Sequence, residues 1–113
     1  MGHVNNAVWV QWMEAAATAH WEAVASPQHQ AAYAWLVVRH EIDYRGNIRE
    51  GESTTATTWV SPPEGARFER RYEFRSDAGK LLVMARTQWA MLDIAAGRIM
   101  RVPAEVVAPF LEG

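Results

Sequence analysis

The sequence contains no cysteine, which excludes disulfide bonds, cysteine-ligated zinc and a thiolate nucleophile. It also lacks an apolar run near the ~20 residues that a membrane-spanning helix needs. The N-terminus shows no basic region followed by an apolar segment, which is the pattern of a signal peptide. Together these absences favour a cytoplasmic protein with no membrane partner.

An excess of charge of one sign is lacking as well. Eleven Lys and Arg residues against thirteen Asp and Glu residues give a net charge of −2, so no basic surface for nucleic acid is expected. There is no glycine-rich phosphate loop, serine nucleophile elbow or dinucleotide fingerprint. His20, His29 and His40 show no metal-ligand spacing, and no metal site is predicted.

The chain does have enough apolar material for a core. Half of its 113 residues are hydrophobic, and six of them are tryptophan. A chain of this length fits one domain, because it buries roughly two thirds of its unfolded surface on folding. We therefore treat residues 1–113 as a single domain.

Residues 7–24 are expected to form a long helix. The segment has no Gly or Pro and is rich in Ala, and Asn5 and Asn6 precede it as candidate N-cap residues. Its polar residues form one narrow stripe: Gln11, Glu14, Thr18 and Glu22. Since an ordinary surface helix has a broad polar face, this helix is predicted to be enclosed on most sides, by a curled sheet or by a second subunit.

From Tyr33 onward the apolar period changes to two, which is typical of strands. We expect strands over residues 35–44, 52–60, 66–75 and 80–93, and a short helix over 104–110 after Pro103. The first strand would place Leu36, Val38, Ile42 and Tyr44 on one face. The fourth is apolar on both faces and is predicted to lie mid-sheet or at a subunit contact. The fold class is α+β.

Three segments carry a resemblance to a known family. The run Gly2-His3-Val4-Asn5-Asn6-Ala7-Val8-Trp9, followed by Glu14-Ala15, resembles the signature of the 4-hydroxybenzoyl-CoA thioesterase-like hotdog proteins. In that family Asp-x-x-Gly-His-Val-Asn-Asn-x-x-Tyr leads into the central helix. Two weaker stretches also agree with the family: residues 41–45 with Gly51-Glu52, and Asp93 with Gly97-Arg98 and Val102-Pro103. The resemblance covers essentially the whole chain.

The resemblance implies a hotdog fold, in which a curled antiparallel sheet wraps around one long central helix. It also implies a homodimer or homotetramer that binds acyl-CoA at the subunit boundary, with coenzyme A as part of the substrate and no other cofactor. The acidic residue of the family motif would fall two positions before Met1, and the family's first strand is apparently missing too. A wrongly assigned start, a trimmed form and a different chemistry all remain open.

The predicted site lies where the long helix begins. A helix N-terminus offers unpaired backbone N–H groups and about half a positive charge, which suits the oxyanion formed during thioester hydrolysis. We predict catalytic roles for Asn5 and Asn6, and for His3 as the substitute base, because its unperturbed pKa is near neutral. Substrate contacts are predicted for Gly2, Val4, Ala7, Trp9 and Glu14. Glu14 lies about 13 Å along the helix from Asn5 at 1.5 Å per residue.

Most of these residues also have an alternative interpretation in which their role is only structural. Asn5 and Asn6 would also serve as caps, His3 as a loop-ordering residue, Trp9 as core and Glu14 as a solvated carboxylate. Four basic residues of the third and fourth predicted strands would hold CoA phosphates or, as we favour, form a solvated face with interleaved Glu residues: Arg67, Arg71, Arg75 and Lys80.

The predicted function is acyl-CoA hydrolysis. The alternatives are an acyl-thioester-binding hotdog module without hydrolysis and an inactive, N-terminally truncated form.

Overall fold

The computed structural model of the protein describes residues 4–111. Within that range it forms an α+β fold with three helices and five strands. In chain order they are α1 (Asn6–Val24), α2 (Pro27–Ala32), β1 (Tyr33–Tyr44), β2 (Thr54–Val60), β3 (Arg67–Ser76), β4 (Leu81–Asp93), β5 (Arg98–Met100) and α3 (Ala104–Leu111). The four long strands and the first and last helices agree with the predicted segments to within two residues at each end.

The five strands form one antiparallel sheet in the order β1-β4-β3-β2. Residues 91–93 at the end of β4 pair with both β1 and β5. Because β1 occupies one edge of β4, β5 must lie on the other edge, in line with β3. The predicted mid-sheet position of β4 is therefore confirmed.

Strand β1 contains a bulge that the sequence pattern did not reveal. Its register against β4 shifts between Val37 and Arg39. Leu36 and Val38 are exposed, whereas Ile42 packs against the core. The prediction that these three side chains share one face was wrong, because strict alternation holds only along an uninterrupted ladder and a bulge inserts one extra residue.

Helix α1 packs on the sheet through one narrow face. Trp9, Met13 and Ala17, spaced four residues apart, are its buried residues. Ala15 and Ala19 on other sides of the helix are exposed. Within the single chain the sheet therefore covers only one side of α1, and its enclosure by a second subunit stays a prediction. Alanine is favoured in helices by propensity alone, so an alanine-rich sequence does not require burial.

The buried side chains form two clusters beneath α1. The first cluster lies under the first half of the helix and is built around Trp9, Met13, Tyr72, Phe74 and Val83. The second lies towards its C-terminal end, where α3 also packs, and includes Phe68, Met91, Val106, Val107 and Phe110. The two halves of α1 thus rest on separate cores.

Helix α2 is an element that the sequence pattern did not predict. In the sequence, Ser26-Pro27 is typical of a helix end, but the Ser26 hydroxyl also caps a new helix by accepting the His29 N–H at 3.1 Å. Pro27 occupies the first helical turn, where its missing N–H costs nothing. None of the helices within residues 4–111 is long and apolar enough to cross a membrane.

Candidate functional site at the start of the first helix

Asn5 caps the N-terminus of α1. Its backbone is extended (φ −67°, ψ 143°), and its Oδ1 accepts the Ala7 N–H at 2.9 Å. The Val8 N–H donates to the Asn5 carbonyl at 2.9 Å. Within residues 4–111, this leaves the Asn6 N–H of the first helical turn without a recorded acceptor. An anionic oxygen at this end of the helix would meet that N–H and the positive end of the helix dipole.

The segment leading into α1 is fixed by the loop between β1 and β2. The Val4 N–H donates to the Ile48 carbonyl at 3.1 Å, and Asn47 Nδ2 donates to the Val4 carbonyl at 2.8 Å. The Tyr44 hydroxyl donates to the Asn6 carbonyl at 3.4 Å. The first two bonds satisfy the N–H and the carbonyl of Val4, which precedes the helix, and the third reaches a carbonyl of the first helical turn. Together they hold the helix start in a preorganised position.

Asn47 and Tyr44 are positioning residues that sequence reasoning missed. The sequence pattern marks Arg45-Gly46-Asn47 only as a possible bend or end of the strand, and Tyr44 as a strand residue. The relevant signal was an amide side chain in a turn, but its partner, Val4, is 43 positions away along the chain. No local pattern connects two such distant segments.

The structure places the predicted site residues at different depths. Gly2 and His3 lie outside the described residues. Asn5, Asn6 and Ala7 are exposed together at the helix start, and Val4 is half-buried against the first core cluster. The assigned roles of these residues remain predictions.

Trp9 and Glu14 lie apart from that exposed group. Trp9 is fully buried and makes edge-to-face contacts with Trp12 and Phe74. Its indole N–H has no hydrogen-bond partner within the described residues. Glu14 is exposed about two turns further along α1. In the single chain these two side chains do not converge with the helix start, and their predicted substrate contacts remain untested.

Charged groups elsewhere on the sheet are mostly paired. Arg71 and Arg75 form ion pairs with Glu69 and Glu73 on the same strand, at 3.1 and 3.0 Å. This arrangement favours the solvated-face interpretation over a phosphate site. Within residues 4–111 there is no group of His, Asp and Glu side chains able to hold a metal ion.

Tyr72 is the titratable group of the first core cluster. Burial raises the pKa of its phenol above the ordinary value, and the neighbouring Thr87 and Trp89 side chains offset this effect only in part. A phenol in this setting stays neutral at physiological pH. The interior beneath the helix start therefore supplies no ionised base from Tyr72, and the chemistry of the site rests on its exposed rim.

The family model of the thioesterase-like superfamily matches residues 1–110, so the chain belongs to this superfamily. Among curated proteins, none matches the sequence. Many solved structures resemble its fold. A Staphylococcus aureus protein in complex with CoA is 10% identical and has a TM-score of 0.86, with 98% of this chain and 72% of that chain covered.

A Thermus thermophilus thioesterase complexed with coenzyme A and zinc is 22% identical, with 96% of this chain and 79% of that chain covered and a TM-score of 0.81. The 1,4-dihydroxy-2-naphthoyl-CoA thioesterase from Synechocystis is 18% identical, with 98% and 85% covered and a TM-score of 0.78. At such identities the likeness establishes the fold, and the predicted hotdog fold is confirmed.

Proposed function

We propose that the protein is an acyl-CoA thioesterase, which hydrolyses an acyl- or aryl-CoA thioester to the free acid and CoA at the start of α1. The observation that carries this proposal is the exposed helix start. Asn5 caps Ala7 there, and no acceptor within residues 4–111 pairs the N–H of exposed Asn6. This geometry occurs within the Gly-His-Val-Asn-Asn segment of a member of the thioesterase-like superfamily.

The proposed reaction uses the helix start as an electrophilic site. Negative charge develops on the thioester carbonyl oxygen during the reaction. This oxygen accepts a hydrogen bond from the Asn6 N–H and is stabilised by the positive end of the α1 dipole. Water attacks the carbonyl carbon and passes a proton to a base, for which His3 is our candidate within the given sequence. The carbon–sulfur bond then breaks, and the proton is returned to the departing thiolate of CoA.

Solved structures with a similar fold support the proposal. The S. aureus and T. thermophilus structures were solved in complex with CoA, which is the carrier that our proposed substrate contains. We also propose a cytoplasmic location, because a chain without cysteine suits a reducing compartment. No cofactor is invoked, since the proposed chemistry needs only water and protein groups.

We propose that the protein acts as a homodimer or homotetramer. Strand β1 is an edge of the sheet, and its Leu36, Val37 and Val38 side chains are each more than 40% exposed. An apolar edge strand with unpaired backbone groups is a surface on which another chain pairs. Sedimentation of the chain as a monomer at micromolar concentrations would contradict this part of the proposal.

The activity test follows thiol release from a panel of aryl- and alkyl-CoA thioesters. The protein has no cysteine, so a thiol reagent detects only the released CoA. His3→Gln should lower kcat by about 10²–10⁴-fold if His3 is the base. Asn5→Ala should lower activity by disordering the helix start, whereas Asn5→Ser, which keeps a capping oxygen, should retain most of it.

The matched control is His29→Gln in α2, which should leave the rate unchanged. The chain as given and a version extended at its N-terminus by a strand and an Asp are assayed side by side. If neither releases thiol from any thioester, the hydrolase proposal fails. Stabilisation of the protein by acyl-CoA without turnover would instead favour the non-hydrolysing binding module.

A further inference from the structure

Arg70 on β3 is a buried charge that has no counter-charge within the described residues. The residue is 5% exposed, and it lies on the inward face of the strand between Phe68 and Tyr72. Within residues 4–111 no carboxylate lies within 4 Å of its guanidinium group. Arg71, its neighbour along the chain, is paired with Glu69. A buried charge is costly unless it is paired, so an unpaired one calls for an explanation.

The bonds that Arg70 does make use only one of its nitrogens. Its Nη1 donates to His20 Nδ1 at 2.9 Å and to Thr58 Oγ1 at 3.0 Å. Because arginine cannot accept a hydrogen bond, His20 must be neutral and unprotonated at Nδ1. Both partners are uncharged, and no acceptor within the described residues is bonded to Nε or Nη2. Those two nitrogens form the edge of the guanidinium that binds a carboxylate through two parallel hydrogen bonds.

Arg70 lines a cavity of about 240 Å³ between α1, the sheet and α3. Most of the wall is aromatic, from Trp21, Trp35, Phe68, Trp89 and Phe110. Exposed Thr18 also lines the cavity, so it reaches the protein surface. The volume is below the roughly 300 Å³ at which pockets for drug-sized ligands begin. It suits a small molecule with one ring or a short alkyl chain.

The lining of the cavity indicates the chemistry of its ligand. Within residues 4–111 the cavity combines a positive charge, unused guanidinium donors and an apolar wall, and none of its lining residues is a carboxylate. This combination matches a ligand whose polar end is an anion and whose body is apolar.

We propose that this cavity binds a small free carboxylic acid with an apolar body, its carboxylate held by the Nε–Nη2 edge of Arg70 and its body against the aromatic wall. The site differs from the helix start. Thr18 is about 18 Å along α1 from Asn6, at 1.5 Å per residue. The proposal does not depend on hydrolysis, because it concerns binding that is measured directly.

The test is calorimetric titration of the full chain with phenylacetate and with phenylacetamide, its neutral analogue of nearly the same shape. At about pH 7.5 the acid is ionised. We expect saturable binding of phenylacetate, and binding of the amide that is at least ten times weaker, because a hydrogen bond to a charged group contributes about 1.5–3 kcal/mol. Arg70→Met should remove the preference for the acid, whereas Arg71→Met on the outer face should retain it.

A second variant keeps the proposal testable if Arg70→Met does not fold. Thr18→Phe adds a bulky group at an exposed position on the cavity wall, so it should block binding while the fold and Arg70 remain intact. Equal affinity for acid and amide would overturn the proposal, as would no saturable binding of phenylacetate at roughly millimolar concentrations. Unchanged acid binding by a folded Arg70→Met protein would overturn it too, since Arg70 would then serve only to join α1 to the sheet.

Discussion

The two halves of α1 rest on interiors of different character. Beneath the first half, Trp9 is fully buried and its ring is in contact with those of Trp12 and Phe74. Beneath the second half, aromatic rings line a cavity of about 240 Å³, and the charged Arg70 faces into it. At the helix start, the polar groups of the proposed site lie on the exposed rim. At the cavity end, the charged Arg70 lies inside the protein.

This difference separates two ways in which a fold builds a binding site. At the helix start, the backbone N–H groups and the helix dipole follow from the helix itself, and the side chains need only cap and hold it. At the cavity end, specificity depends on one buried guanidinium and on the space around it. We therefore expect stability at the helix start to depend on packing. At the cavity end we expect it to depend on hydrogen bonds within a looser interior.

The largest expected effect concerns packing. Trp9→Ala should lower the free energy of unfolding by about 3–5 kcal/mol, because it removes a fully buried aromatic side chain from a filled core. Trp35→Ala at the cavity end should cost less, because Trp35 is only half-buried and already borders empty space. Urea unfolding of both variants measures the difference. Equal costs would show that the two interiors are packed alike.

A smaller effect is expected from the hydrogen bonds of Arg70. Thr58 Oγ1 accepts from Arg70 and donates to the Arg71 carbonyl at 2.9 Å. Thr58→Val keeps the side-chain shape but leaves a buried guanidinium N–H unpaired, so it should cost about 2 kcal/mol. The matched control is Thr57→Val, next along β2 and exposed, which should change stability by less than about 0.5 kcal/mol. Similar values for the two variants would mean that the Arg70–Thr58 bond contributes nothing.

Local sequence patterns predicted the helices and long strands around both ends of α1. Of the two proposed sites, they predicted only the one at the helix start. The Asn5 cap and the helix after it follow from neighbouring residues, and the alternation of β3 already placed Arg70 on the same face as Phe68 and Tyr72. The cavity around Arg70 arises where α1, β1 and α3 come together, and the His20–Arg70 contact joins residues 50 positions apart. The bulge in β1 was unpredictable for a similar reason, because it exists only in the pairing with β4.

The smallest expected effect is a pH dependence that belongs to the cavity end alone. Burial, and secondarily the positive charge of Arg70, lower the pKa of His20 below its ordinary value of 6.5. Below about pH 6.5 the unfolded chain binds a proton at this histidine that the folded chain does not, so stability falls as the pH is lowered through this range. Above it, both states are neutral at His20 and the stabilisation is fully present.

His20→Gln tests this dependence directly. The Gln carbonyl oxygen is able to accept from Arg70 Nη1 as His20 Nδ1 does, but it cannot be protonated in this range. Urea unfolding between about pH 7.5 and 5 should therefore show a shallower loss of stability for His20→Gln than for the unchanged protein. His29→Gln in α2, away from Arg70, should keep the original slope. If His20→Gln keeps it as well, neither burial nor Arg70 lowers the pKa of His20 enough to affect stability in this range.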